Sequence, residues 1–146
     1  MTLKETLSLI RSDDLHVLFL GPACLDRDKA LDEAFRIATE SVAARVEASA
    51  WWMTWTPLLV DERPRRPYAA DEVERLAREG VKNLVVYTFG HVSDRLETLY
   101  PVDIGLGRIA REHGMRTFRV PSLNDREELL DALASCVAQS AAGGTA

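Results

Sequence analysis

Apolar residues gather along this chain in four short runs: Leu15–Leu20 (LHVLFL), Ala50–Thr56 (AWWMTWT), Asn83–Phe89 (NLVVYTF) and Arg116–Val120 (RTFRV). Their β-branched and aromatic content, their shortness and the turn residues around them assign all four to strands. The first and third are apolar almost throughout, the pattern of a strand covered on both faces. Between the runs the period lengthens. In Lys29–Ala48, residues Ala30, Ala34, Ile37, Ala38, Val42 and Val46 recur at three- and four-residue intervals and form one helical stripe. Further helices are predicted over Asp71–Arg78, stopping at Gly80, over Leu96–Glu112, stopping at Gly114, and over Asp125–Ala138, with Asn124 as N-cap. A short amphipathic helix at Leu3–Ile10 leads the chain, and Ala141–Ala146 reads as a frayed tail.

Strand followed by helix, repeated, implies parallel strands joined by right-handed crossovers. The expected fold is α/β, a three-layer sandwich around a four-stranded parallel sheet. With no internal repeat, low-complexity segment or linker, residues 1–140 read as one domain and 141–146 as a flexible tail. Ligands of such sheets bind beyond the carboxyl ends of the strands. That directs attention to Gly21–Asp26, Thr56–Tyr68, Gly90–Glu97 and Pro121–Asn124.

Composition narrows the function. The chain has 146 residues, 47% of them hydrophobic and 28% charged, which suits one soluble core. A formal charge of −5 with no basic run argues against nucleic acid as a partner. Cys24 and Cys136 stand far apart without CxxC spacing, so they read as free thiols rather than parts of a zinc knuckle or iron–sulfur site. Met1–Arg11 carries Lys4 and Glu5 rather than a basic patch before a long apolar core. No apolar run approaches the ~20 residues needed to span a bilayer. A cytoplasmic, reducing location is expected.

After the third strand comes His91-Val92-Ser93-Asp94-Arg95-Leu96-Glu97-Thr98-Leu99-Tyr100, and downstream Phe118-Arg119-Val120-Pro121-Ser122-Leu123-Asn124-Asp125. The first string resembles the ferrochelatase signature FxSDHxETLYExD, which opens the helix bearing that family's metal-site glutamate. The second resembles its R-x-x-S-L-N segment. Trp52-Met53-Thr54 stands where the family has W-Q-S, Pro67-Tyr68 where it has P-W, and Val17-Leu18-Phe19 in the strand leading into S-A-H-S-L-P. From about His16 to Ala138 the chain is thus similar to the C-terminal lobe of the ferrochelatases, without their N-terminal lobe. Three departures stand out. Gly21–Asp26 contains no histidine, the histidine of S-D-H is Arg95, and the second acid of E-T-L-Y-E is Pro101.

The resemblance implies a chelatase-like single lobe and a lyase of the metal chelatase type. Its substrates would be a divalent metal ion, iron first, and a tetrapyrrole or another metal-chelating small molecule; haem is a further candidate ligand. Small cobalt and nickel chelatases resembling one lobe set two copies face to face around one tetrapyrrole, which implies a homodimer or a partner lobe here. The alternative is a tetrapyrrole or metal carrier without turnover, or a lobe-like subunit of a larger complex.

Metal insertion needs an open site of mixed N/O ligands, a base for two pyrrole protons and a large apolar cleft. Glu97, at a strand–helix junction, can act as base or ligand, with Asp94 beside it; alternatively Asp94 and Glu97 make a D-x-x-E capping box. His91 is the one histidine at a predicted binding edge, since His16 begins a strand at the opposite edge and His113 ends a helix. It stands in for the lost histidine as ligand or proton acceptor, or is an ordinary loop histidine. Cys24, in the loop that lacks the histidine, would complete a three-ligand set with His91 and Glu97, or is a small buried residue. Trp51, Trp52 and Trp55 alternate across one strand and each alone suits the core. Trp55, nearest the carboxyl end, and Tyr68 are the candidates to stack on a macrocycle. Ser93 and Arg95 are candidate tetrapyrrole contacts, and Arg63, Arg65 and Arg66 can meet its carboxylates. Pro101 removes a helical N–H and should kink or restart the helix after Asp94.

Overall fold

The computed structural model describes residues 16–21, 29–55 and 68–143. In chain order these form β1 (His16–Gly21), α1 (Lys29–Arg45), β2 (Ala50–Trp55), α2 (Ala69–Arg78), β3 (Asn83–Tyr87), α3 (Leu96–Leu99), a π-helical segment (Tyr100–Leu106), α4 (Gly107–Glu112), β4 (Arg116–Val120) and α5 (Glu127–Gly143). The leading helix expected at Leu3–Ile10, Cys24 and the arginines 63, 65 and 66 lie outside the described residues.

All three strand pairings are parallel, in the order β2-β1-β3-β4. Leu18 of β1 lies between Trp52 and Val86, which fixes the register at the middle of the sheet. Strand alternation then sorts the core. Leu18, Leu20, Leu84 and Val86 face α2 and α4 with Val73, Leu76 and Ala110, whereas Val17, Phe19 and Val85 face α1 with Phe35 and Ala43. As the alternation predicts, Trp51 and Trp55 share the second face and Trp52 takes the first. Helices on both faces of a parallel sheet make the expected α/β architecture.

The element ends follow backbone chemistry. Gly80 and Gly114, with φ of 93° and 70°, terminate α2 and α4 in the left-handed conformation that glycine adopts at no steric cost. Helix α1 stops at Arg45, three residues short of the predicted end, where Glu47 turns left-handed (φ 53°) and the Ala48 N–H closes on the Ala43 carbonyl at 3.1 Å. At Pro101 the helix does change: a π-helical segment begins at Tyr100 with the proline in its first turn, so the helical run restarts there in a wider register. One expectation needs correction. Asn124 is not the cap of the last helix, which begins at Glu127 and runs on to Gly143 through part of the supposed tail. That helix is exposed along nearly its whole length, including Leu130, Leu133 and Val137.

Candidate functional site

At the carboxyl edge the chain leaves β3, and the Phe89 N–H turns back to the Tyr87 carbonyl at 2.9 Å. It then pivots at Gly90, whose φ of 87° only glycine takes freely. Residues Gly90, His91, Val92, Ser93 and Arg95 line a cleft of about 180 Å³. His91 is half-buried there, with its Nε2 buried. On the α1 side of Gly90 a second, apolar cavity of about 260 Å³ opens between Leu31, Ala34, Phe35 and Phe89. A third, of about 160 Å³, lies on the α2 side among Leu20, Tyr68, Pro101 and Leu106. The polar cleft that holds His91 is therefore flanked by apolar space on both faces of the sheet.

Asp94 is the most heavily engaged side chain of this edge. Its Oδ1 accepts from Arg119 Nη1 at 2.7 Å and from the Ser122 N–H at 3.3 Å, and its Oδ2 accepts from Asn124 Nδ2 at 3.2 Å. The Asp94 N–H in turn donates to Asn124 Oδ1 at 2.8 Å. Arg119 reaches further: its Nε donates to Asp103 Oδ1 at 2.8 Å, inside the π-helical segment. Partial burial pushes the Asp94 carboxyl up, but the donors from Asn124 and Ser122 and the Arg119 guanidinium outweigh it, so the group is held below the ordinary carboxylate range. A carboxylate held this way is a weak base and a strong anchor.

These bonds replace the capping box expected of Asp94 and Glu97. The residue at the N-cap of α3 is Arg95, and its backbone N–H is satisfied by the Thr98 hydroxyl at 2.9 Å. Glu97 occupies the second position of α3; its side chain lies outside the described residues. Trp55 is buried with its ring 5.1 Å from Phe35, which gives it the core role rather than that of an open stacking platform. Tyr68 pairs with Trp55 through an isolated parallel bridge and is half-buried at the mouth of the third cavity. Among the described residues, no three His, Cys, Asp or Glu side chains are grouped to hold a metal ion, and Cys136 is a free, exposed thiol. No helix among them is long and apolar enough to cross a membrane.

Sequence reasoning did not identify Arg119, Asp103, Ser122 and Asn124 as parts of the site. Three of them stand in the second matched string and Asp103 at the last acid of the signature, so the motif marked them; Arg119, Ser122 and Asn124 bond to Asp94 across 25 to 30 residues of chain, and Asp103 bonds to Arg119.

The two strings thus form one bonded unit, and comparison with known proteins agrees with them. The model of the ferrochelatase family matches residues 24–141. The chain belongs to that family. It is 44% identical over 78 residues to a ferrochelatase of Thermosynechococcus vestitus, covering 53% of this chain and 20% of that protein. It is 40% identical over 74 residues to one from Desulfotalea psychrophila, covering 51% and 23%. The chain therefore matches about a fifth of the length of these ferrochelatases. Among solved structures, a CbiX protein of Marinobacter aquaeolei VT8, ascribed to cobalamin (vitamin B12) biosynthesis, superposes with a TM-score of 0.59 at 20% identity, covering 86% of this chain and 96% of the other. That likeness concerns the fold.

Proposed function

We propose that this chain handles metal insertion into a tetrapyrrole, iron into a porphyrin first, at the carboxyl edge of its sheet. The observation that carries the reading is the Arg119 clamp. One guanidinium ties Asp94, just before the turn that bears Glu97, and Asp103, just after it, to the end of β4. That turn opens beside the His91 cleft, with apolar cavities on either side for a flat, largely apolar ring.

In insertion, four nitrogen–metal bonds form while two pyrrole N–H protons leave, so the products are the metallated ring and two protons. Glu97 accepts a proton or holds the ion beforehand; His91 is the second proton acceptor or ligand, and Cys24 the third ligand. Asp94 anchors the turn. Tyr68 contacts the ring plane, and Ser93 and Arg95 meet its polar substituents. Leu96, Tyr100 and Ile104, four residues apart and 66%, 52% and 56% exposed, form an apolar stripe next to the site, which supports closure by a second copy or a partner lobe. The reaction class is that of a metal chelatase, formally a lyase, working in the cytoplasm. A carrier without turnover is the second reading, favoured by Pro101, which interrupts the family's line of acids.

The test is anaerobic titration with protoporphyrin, coproporphyrin and sirohydrochlorin, followed by ferrous, cobaltous or zinc ion. The expected result is a Soret shift on binding, then metallation faster than in the protein-free control, slowed about 100-fold by Glu97→Gln. Binding without acceleration leaves the carrier. No binding of any tetrapyrrole removes both readings.

A further inference from the structure

Helix α5 and the α1 side of the sheet each present half of a contact. Among the described residues, the apolar core on the α2 side draws helical side chains from α2, the π-helical segment and α4. The core on the α1 side draws them from α1 alone, and neither core contains a residue of α5. Tyr87, Phe89 and Phe118 stay half-buried on that side, where β3 and β4 extend beyond α1. Helix α1 borders the groove with two unlike flanks. Glu33, Arg36 and Glu40 bond to one another along one flank. Leu31, Ala34 and Ile37 recur along the other and are exposed, and Leu31 and Ala34 line the apolar cavity of about 260 Å³ together with Phe89.

Helix α5 has the complementary surface. Leu130, Leu133, Val137 and Ala141 recur at three- and four-residue intervals on one side, with Glu128, Asp131, Ser135 and Gln139 on the other, and the apolar side is exposed. The link from β4, residues 121–126, resists bringing helix and groove together within one copy. Pro121 has a fixed φ, the Ser122 N–H and the Asn124 side chain are bonded to Asp94, and the left-handed Asn124 is tied to Val92 as well. A short, strained hinge favours exchange of an element between copies.

We propose that two copies of this chain exchange α5, each seating it in the groove between α1 and strands β3 and β4 of the other. A helix of 17 residues is ~25 Å long and ~10 Å across, a footprint of roughly 250 Å² on helix and groove alike. Two reciprocal seatings reach the roughly 1,000 Å² that a specific interface needs. Running from the carboxyl edge as α1 does, the seated α5 brings Leu130 to the outer side of the cavity at Leu31 and Phe89. Gly90 lines both that cavity and the His91 cleft, so the second copy supplies part of the wall beside the site. The exchange does not depend on the tetrapyrrole reading.

Sedimentation velocity tests the assembly and crosslinking tests its connection. The native chain should sediment as a dimer. Leu133→Asp with Val137→Asp on α5, and Ile37→Asp on α1, each remove at least two buried aliphatic side chains per dimer and should raise its dissociation constant at least ~100-fold. Circular dichroism confirms that these variants fold; where one does not, crosslinking decides. In a Cys24→Ser background, Ile37→Cys sets a thiol on α1 to pair with the exposed Cys136, within reach of a bis-maleimide spanning the ~10 Å between neighbouring helices. A chain with Ile37→Cys and Cys136→Ser, co-expressed with one that keeps Cys136, should give a covalent dimer that neither gives alone. A native monomer, or a dimer that keeps its affinity in both aspartate variants, overturns the exchange. So does crosslinking within one chain, which places α5 on its own groove, or crosslinking of Cys136 to Cys136, which pairs helix with helix.

Discussion

Asp94 and Asn124 hold each other twice: the Asp94 N–H donates to Asn124 Oδ1 at 2.8 Å, and Asn124 Nδ2 returns a bond to Asp94 Oδ2 at 3.2 Å. The Asn124 N–H also donates to the Val92 carbonyl at 2.7 Å. Asn124 is left-handed, with φ of 53°, a conformation that asparagine tolerates better than most residues. The loop after β3 and the loop after β4 are thereby fastened into one unit. Asn124→Ala should lose both side-chain bonds and strain the backbone, costing about 2 kcal/mol in urea unfolding. Asn124→Gly, which relieves the strain but not the lost bonds, should cost about half as much. Equal losses would show that the backbone conformation contributes nothing.

Arg119 is the next step outward, because Nε and Nη1 serve different carboxylates. A lysine places one ammonium where a planar fork served two acids, so Arg119→Lys should keep Asp94 or Asp103 but not both. With only 16% of the side chain exposed, the loss should be about 1–2 kcal/mol of stability. If the clamp positions the Glu97 turn, kcat for metallation should fall further than KM rises. A change confined to stability would make Arg119 a purely structural residue.

The acid side of the stability profile carries the same bonds. The Asp94 carboxyl is lowered from 3.8, so across the window from the unfolded value down to the folded one the unfolded chain binds more protons than the native chain. Stability contributed by Asp94 is therefore complete above about pH 4 and is lost as pH falls through the folded value. Asp94→Asn, which cannot ionise, should be less stable than the native chain at pH 7 and should lose less on acidification. The comparison is made by denaturant unfolding at stepped pH, and parallel curves for the two proteins would contradict it.

How much of this was legible depends on which interactions are local. The bounds of β4, Arg116–Val120, and the ends of α2 and α4 came out as read, because an apolar run and a glycine just past a helix are both written within a few residues. The π-helical widening at Tyr100–Leu106 was not, since the hydrogen-bond register around Pro101 is a backbone property with no residue code of its own. Asn124 was misplaced as a helix cap for a related reason: its amide had a local use and a distant one, and the distant one, Asp94, prevailed. Trp55 looked available at a strand end, yet Phe35 of α1 covers it. The two matched strings contain Asp94, Arg119, Ser122 and Asn124, but nothing in them shows the bonds between these residues.

The two glycines at this edge make opposite predictions. Gly21 ends β1 against aromatic rings, and an added Cβ would lie 2.6 Å from Phe35 and 2.7 Å from Trp55. Those rings are packed on each other in the face that also contains Phe19 and Phe89, so an added methyl must displace at least one of them. Gly21→Ala should therefore destabilise by about 1–3 kcal/mol through overpacking. Gly105→Ala meets no such obstacle and adds a helix-forming residue within a helical run, so it should stabilise by about 0.5–1 kcal/mol. Thermal unfolding of the two variants decides the matter. A loss of stability in Gly105→Ala as well would show that position 105 has no more room than position 21.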